Sequence, residues 1–381
     1  MKSKTIVQLC PKLKLGGVER GVVDIAAHLQ KIGYNSIVVS NGGCLVAELE
    51  NNQVTHIQLP IHSKNPLYFL LNLWRLNHLI RQLKPDLLLP YSRIPTWLIY
   101  WLCKRNKIPF ITHCLGIHRM GLLGLKTKYN SVLMRGDRII ANSFFTKSYF
   151  LRHYPNCQRD ISVVHRSVDI EVFKENNCAL EIRRLVRNNW KVTPYQTVIL
   201  LPTRMSYWKG HDVLLSALYS MIQAGNTNFY VVMMKEPQEN SSYYKRIVAQ
   251  ITRLTLSNYV YFEDSSTTIS NLYAGADIIL SASTEPEAFG RTIIEAQAMG
   301  KIIVASAHGG AIETIKDNIT GFLFAPGNPD ALAHRFEMIQ KMDSAKLNEI
   351  SLNAIESAQN FSKEKMCRDL LEIYYELIRE N

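Results

Sequence analysis

The stretch EPEAFGRTIIEAQAMGKIIVASAHGGAIE, Glu285 to Glu313, constrains this chain more than any other. Ahead of it, Asp277 to Ser281 is short, apolar and β-branched, the pattern of a buried strand. A turn with Pro286 and then Gly290 precede Arg291 to Met299, whose Ile293, Ile294, Ala296 and Ala298 suit a well-buried helix. Gly300 stands where a helix C-terminus wants a residue that tolerates positive φ. Lys301 to Ser306 reads as a second buried strand, and His308-Gly309-Gly310 as a loop opening the next helix. Strand, loop, helix, strand, loop, helix is an open parallel α/β unit. Such sheets take their ligands in the loops at the carboxyl ends of the strands.

Two carboxylates of that unit, eight residues apart, bear on its chemistry. Glu287 lies in the loop and Glu295 about one turn into the helix. Desolvating a carboxylate without a partner costs several kcal/mol, roughly 2 or more even for a neutral polar group. The free N–H groups around Phe289, Gly290, Arg291 and Thr292 form a helix N-terminus, a ready site for a diphosphate. Carboxylates beside an anion site make sense as acceptors for hydroxyls of a sugar and a ribose. The plainer alternative is that Glu295 serves the helix dipole and Glu287 is a loop charge.

The pattern E-x7-E, then A-x-A-x-G, a buried strand and G-G-x-x-E resembles the signature of glycosyltransferase family 4, retaining enzymes of GT-B fold. The wording PEAFGRTIIEAQAMG, with MRGDRIIANS and VVHRSVD upstream, resembles the lipopolysaccharide-core branch of Gram-negative bacteria. That resemblance spans almost the whole chain. It implies two doubly wound, Rossmann-like α/β domains facing a cleft, with a nucleotide sugar on the second and the acceptor on the first. The expected divisions are residues 1–175, 176–360, and a last helix over 361–381 returning to the first domain. The expected reaction is retaining transfer of a hexose to a lipopolysaccharide-core or related envelope glycolipid or oligosaccharide.

The resemblance also assigns residues. Arg204 and Lys209, in the loop between the strand Val198–Leu201 and the next helix, match the family's R-x4-K diphosphate pair. Arg can fork to two phosphate oxygens while Lys acts as a point charge. Two solvated surface cations are the alternative. Glu287 would hold sugar hydroxyls and Glu295 the ribose or the sugar. With no D-x-D motif in the chain, no metal or other cofactor is expected, and the cations alone would stabilise the departing diphosphate. In the first domain, Gly16-Gly17 follow strand Thr5–Cys10 and precede a helix, without the G-x-G-x-x-G of a dinucleotide site. In the family this glycine loop lines the cleft; a turn with no ligand is the other reading.

One departure matters. The family's fourth strand usually ends in His before a small residue, and here Leu115 precedes Gly116. His113 is a substitute only if the strand shifts by about one residue pair, roughly 6–7 Å. His118, in the following loop, is the other candidate. The departure leaves room for a sugar-nucleotide-binding protein without transferase turnover. A UDP-sugar epimerase of the same architecture is a third reading.

Composition narrows the setting. The chain has 381 residues, enough for two ordinary domains, and seven scattered cysteines without a C-x-x-C pair. Free thiols in a reducing cytoplasm fit that usage better than disulfides or zinc. The apolar run near the N-terminus is too short for a signal peptide. The net charge of +12 is uneven: residues 1–185 hold 26 Lys+Arg against 11 Asp+Glu, the remainder 18 against 21. A basic half with no nucleic-acid motif points to an anionic membrane surface or acidic acceptor rather than nucleic acid. The segments Pro66–Leu83 and Thr96–Cys103 are rich in Leu, Trp and Tyr, and Lys104, Arg105 and Lys107 close the second. They suggest peripheral attachment to the cytoplasmic face of an inner membrane, with Trp97, Tyr100 and Trp101 inserting.

Overall fold

Strands covered by helices on both faces have no side left for water, and the apolar runs of this chain become such strands. The computed structural model describes residues 3–14, 16–118, 124–174, 179–193, 195–265 and 268–380. The chain begins β1 (Thr5–Leu9), α1 (Gly17–Lys31), β2 (Asn35–Ser40), α2 (Val46–Asn51), β3 (Thr55–Gln58), α3 (Pro66–Leu83) and β4 (Leu87–Pro90). It continues with α4 (Arg93–Asn106), β5 (Ile111–Cys114), α5 (Leu125–Asn130), β6 (Arg138–Ala141), α6 (Phe144–His153) and β7 (Ile161–Val163). Next come α7 (Ala179–Asn189), β8 (Thr197–Leu201), α8 (His211–Gln223), β9 (Phe229–Lys235), α9 (Ser242–Arg253), β10 (Val260–Asp264), α10 (Ile269–Gly275) and β11 (Ile278–Ser281). Last are α11 (Arg291–Ala298), β12 (Ile302–Ser306), α12 (Ala311–Thr314), β13 (Phe322–Phe324), α13 (Pro329–Gln340), α14 (Ser344–Gln359) and α15 (Lys363–Glu380).

These elements form two units. The first holds Met1–Ser167 with Lys363–Asn381, the second Val168–Ser362. The expected boundary at 175/176 lies outside the described residues, and the chain changes unit earlier, after Ser167. Leu15 of the first loop is likewise outside them.

In the first unit, parallel strands run in the order β3-β2-β1-β4 and β5-β6-β7, joined by a parallel bridge between Leu88 and Phe110. The helix α15 lays Met366, Cys367, Leu370, Tyr374 and Leu377 into the same core as β1 and α1. Their spacing of three and four is that of one helical face. In the second unit the six parallel strands run β10-β9-β8-β11-β12-β13. Strand succession reverses between β8 and β11, so the loops after these two strands open side by side. That switch point is where an open α/β sheet binds its ligand.

The sequence-based elements differ at four places. The strand over Phe110–Cys114 stops at Cys114 and does not run on through Leu115–His118. Strand β13 and the short helices α2 and α5 were not foreseen. None is long enough to show a period: β13 has three residues, and α2 and α5 six each.

Candidate functional site

The loops after β8 and β11 touch directly at the switch point. Gly210, which caps α8, has φ 80°, and a Cβ there would stand 1.9 Å from the Ala282 carbonyl oxygen. Only glycine permits both the left-handed backbone and that approach. The contact brings Lys209 of one loop onto Glu287 of the other, with Nζ 2.8 Å from Oε1. Lys209 also lies 4.1 Å over the Trp208 ring, and the Ser283 hydroxyl donates to the same Glu287 oxygen. Two of the residues expected in the site are thus brought together, both partly buried.

The loop after β12 closes the arrangement. The Gly310 N–H donates to the Glu287 carbonyl at 2.9 Å. A Cβ on Gly309 would meet the Glu287 carbonyl oxygen at 2.4 Å, and one on Gly310 would meet the Phe289 Cα at 2.4 Å. The Gly-Gly pair is therefore a close-approach device that pins the 287–289 backbone. His308 donates from Nε2 to the Ser283 carbonyl at 2.8 Å. Burial lowers the pKa of His308, against smaller opposite pulls from that carbonyl and from Glu287. Ser281, Ser283, Glu287, Gly290, Ser306 and His308 line a small hollow here.

At the start of α11, Gly290 stands at φ 88° and no side chain caps the helix. Its first N–H groups, from Arg291 and Thr292, are at the terminus where an anion is favoured. Phe289 beside them is buried and packs edge-on against Phe361. Glu295 is buried, with Oε1 2.9 Å from the Arg291 guanidinium and Oε2 accepting the Tyr273 hydroxyl at 3.1 Å. Burial raises its pKa, while Arg291 and then Tyr273 act to lower it. Each carboxylate of the E-x7-E pair therefore has its own cation. Arg204, in the loop of Lys209, is exposed and makes no hydrogen bond or ion pair among the described residues. Its guanidinium is available to a ligand.

The first unit treats its candidates differently. Gly16 precedes α1 with φ −179°, extended backbone that any residue adopts. A Cβ there would meet only the tip of Glu19, so glycine leaves the helix N-terminus open rather than enabling a turn. The Gly17 carbonyl accepts from the buried Arg166 guanidinium at 2.9 Å, and the absent Cβ of Gly21 makes room for that side chain.

His113 is a buried side chain of β5 in this structure. The pairing of β5 with β6 runs in register from Ile111 to Cys114, without the shift that would carry it outward. The ring is 5% exposed and stacked on Tyr91 at 4.3 Å between centroids. Burial and then Arg166 drive its pKa down to about 3, against the weaker effect of the Pro90 carbonyl. His118 is half-buried, and burial and then Arg93 bring its pKa to about 4. Its carbonyl accepts the Tyr149 hydroxyl at 2.6 Å.

Sequence reasoning missed Ser283, Tyr273 and Arg166, and gave His308 no role. Only the position of His308 before Gly309-Gly310 signalled anything. Among the described residues, no three His, Cys, Asp or Glu side chains gather as a metal site.

Two family models cover most of the chain: "Glycosyl transferases group 1" over residues 183–360 and "Glycosyltransferase Family 4" over residues 15–172. A glycosyltransferase structure from Rickettsia africae is 35% identical, covers 100% of both chains, and superposes with TM-score 0.89. Anabaena Alr3699/HepE, solved with UDP and glucose, shares the fold at TM-score 0.81 and 23% identity, covering 98% of this chain and 100% of that one. A D-inositol 3-phosphate glycosyltransferase of Corynebacterium kroppenstedtii is 28% identical over 65% of this chain and 55% of its own. The Salmonella typhimurium lipopolysaccharide 1,2-N-acetylglucosaminetransferase is 27% identical over 51% of each. The chain thus spans about half the length of these curated relatives. With both halves matched by glycosyltransferase models and full-length likeness to a glycosyltransferase structure, the chain belongs to the group 1 glycosyltransferases and has their GT-B fold.

Proposed function

We propose that the chain transfers a hexose, with retention of configuration, from a nucleoside-diphosphate sugar to an envelope glycolipid or oligosaccharide of the lipopolysaccharide-core kind. The observation that carries this is the Lys209–Glu287 pair at the switch point, beside the uncapped N-terminus of α11. A diphosphate accepting the α11 N–H groups and the free Arg204 would also draw on Lys209. Glu287 then turns its oxygens to sugar hydroxyls while Ser283 still anchors it. Positive charge already fixed where the leaving diphosphate gains negative charge lowers the barrier without reorganisation. Glu295, locked by Arg291 and Tyr273, offers a rigid acceptor edge to a ribose or sugar hydroxyl. The UDP and glucose held by the Anabaena neighbour support a nucleotide-sugar donor, and the Salmonella relative supports the acceptor class.

The test is mass spectrometry of products after incubation with a panel of nucleotide sugars and truncated lipid A-core acceptors. A mass increase of one hexose, dependent on one donor, is expected, and it should persist in excess EDTA. Chelation that abolishes activity, with rescue by Mn²⁺ or Mg²⁺, would overturn the metal-free leaving-group chemistry. A second reading has a specific motive: Leu115 stands where the family usually has His, and His113 is buried in the sheet. Tight nucleotide-sugar binding with no product from any acceptor would favour a binding protein without turnover.

A further inference from the structure

We propose that the α3–α4 face of the first unit docks on an anionic lipid bilayer. The inner side of α3 buries Leu76 and Ile80. Its outer side leaves Leu67, Leu70 and Trp74 exposed at 76%, 62% and 68%. Spacings of three and four set these side chains on one stripe, and an exposed apolar stripe of that kind marks an interaction surface. Beside it opens a groove of about 650 Å³ lined by Pro66, Phe69, Leu70, Ile94, Trp97 and Tyr129. No helix among the described residues is long and apolar enough to cross a membrane, so this surface acts from outside the bilayer.

The charges bordering the groove select the occupant. Arg135 lies 5.4 Å over the Trp97 ring and 4.9 Å over the Tyr100 ring, where Lys104 also stands at 4.9 Å. With Lys107 and Arg159 these cations line a separate hollow of about 350 Å³, and the Trp97 ring of the groove meets the Tyr100 ring of this hollow edge-on at 6.2 Å between centroids. Its one carboxylate, Asp137, is already engaged by the Phe110 N–H at 2.9 Å and by Arg159 at 3.6 Å. Four cations against one occupied carboxylate suit lipid phosphate, and the adjoining stripe and groove suit acyl chains. A bilayer presents both in one plane. Tyr100, expected to insert, is only 7% exposed and serves as the floor under the cations; α3 takes over the apolar role. Trp101 remains exposed.

The proposal lies wholly in the first unit and stands apart from the reading of the donor site. It is tested by sedimenting the full chain with phosphatidylcholine vesicles, with and without phosphatidylglycerol, at low and high salt. Light scattering of the free protein runs in parallel. Binding to the anionic vesicles alone, weakened by salt, is expected. The pair Leu70→Glu/Trp74→Glu and the pair Lys104→Glu/Lys107→Glu should each lower partitioning on the order of tenfold or more, with melting temperature unchanged. Equal binding to both vesicle types, no binding, or variants that bind as the wild type would overturn it. So would a wild-type dimer that Trp74→Glu makes monomeric, because a second copy would then cover the stripe.

Discussion

At the scale of single residues, Glu287 and Glu295 of the candidate site are each held against a cation, and these pairs decide what a substitution does. Lys209→Ala is expected to lower turnover by on the order of 10²–10³, as for loss of one preorganised charge stabiliser. It also strips the partly buried Glu287 carboxylate of its cation, at about 1–3 kcal/mol of stability. Adding Glu287→Gln should restore the melting temperature without restoring turnover. Full turnover in Lys209→Ala would remove the residue from the mechanism, and no thermal recovery in the double variant would deny the pairing. His113 predicts the opposite profile. Its folded pKa of about 3 lies below the unfolded value of 6.5, so its contribution is complete above pH 6.5. That contribution is lost as pH falls from 6.5 towards 3, at up to about 1.4 kcal/mol per pH unit. His113→Phe keeps a ring against Tyr91 and should flatten part of the acid limb of stability, leaving turnover near wild type. The flattening is partial because His211 and His118, both brought to about 4, titrate on the same limb. An unchanged acid limb on thermal melts across pH would show that His113 is not the buried neutral ring described.

At the scale of elements, the site exists because three loops approach one another more closely than side chains allow. Gly310 isolates that effect: its φ is −69°, so alanine there carries no backbone strain and tests the approach to Phe289 alone. Gly310→Ala should weaken nucleotide-sugar binding at least about tenfold and cost about 1–3 kcal/mol, as overpacking does. Gly225→Ala is the control, since φ is 83° but nothing lies within 4 Å of the added Cβ. It should cost stability and leave calorimetric donor affinity unchanged; equal affinity for both variants would show that the Gly-Gly contact does not shape the site. The same contrast explains what was legible in the sequence. Strands such as β8, β11 and β12 and the helix α11 announce themselves as local apolar patterns, and E-x7-E fixes the order of the donor-site loops. The hydrogen bond from His308 to Ser283, the seat of Arg166 under Gly17, and the capture of Glu295 by Tyr273 join residues far apart in the chain. No period encodes them. The burial of His113 was illegible for a related reason: alternation gives a side chain's face, but both faces of β5 are covered, and the ring that stacks on His113 is Tyr91, from another element.

At the scale of the molecule, the chain leaves its first unit after Ser167 and returns to it after Ser362, and the residues at these crossings are paired. Val168 bridges Ser362 in parallel, and its N–H donates to the Phe361 carbonyl at 2.9 Å. The second unit is thereby a continuous segment closed at its own ends, whereas the first is completed only when α15 has been made. Full burial of one large apolar side chain contributes about 1.5–3 kcal/mol. The five that α15 lays into the core, Met366, Cys367, Leu370, Tyr374 and Leu377, together contribute on the order of 10 kcal/mol. That is comparable to the whole stability of an ordinary domain, about 5–15 kcal/mol. A chain ending at Ser362 should therefore lose the first unit and keep the second. Hydrogen exchange is the measurement: amides of β8, β9, β11 and β12 should stay protected as in the full chain, while those of β1, β2 and β4 exchange rapidly. Protection of β1 and β4 in the truncated chain would mean that the first unit holds its core without α15. Exchange throughout would mean that the second unit does not stand alone.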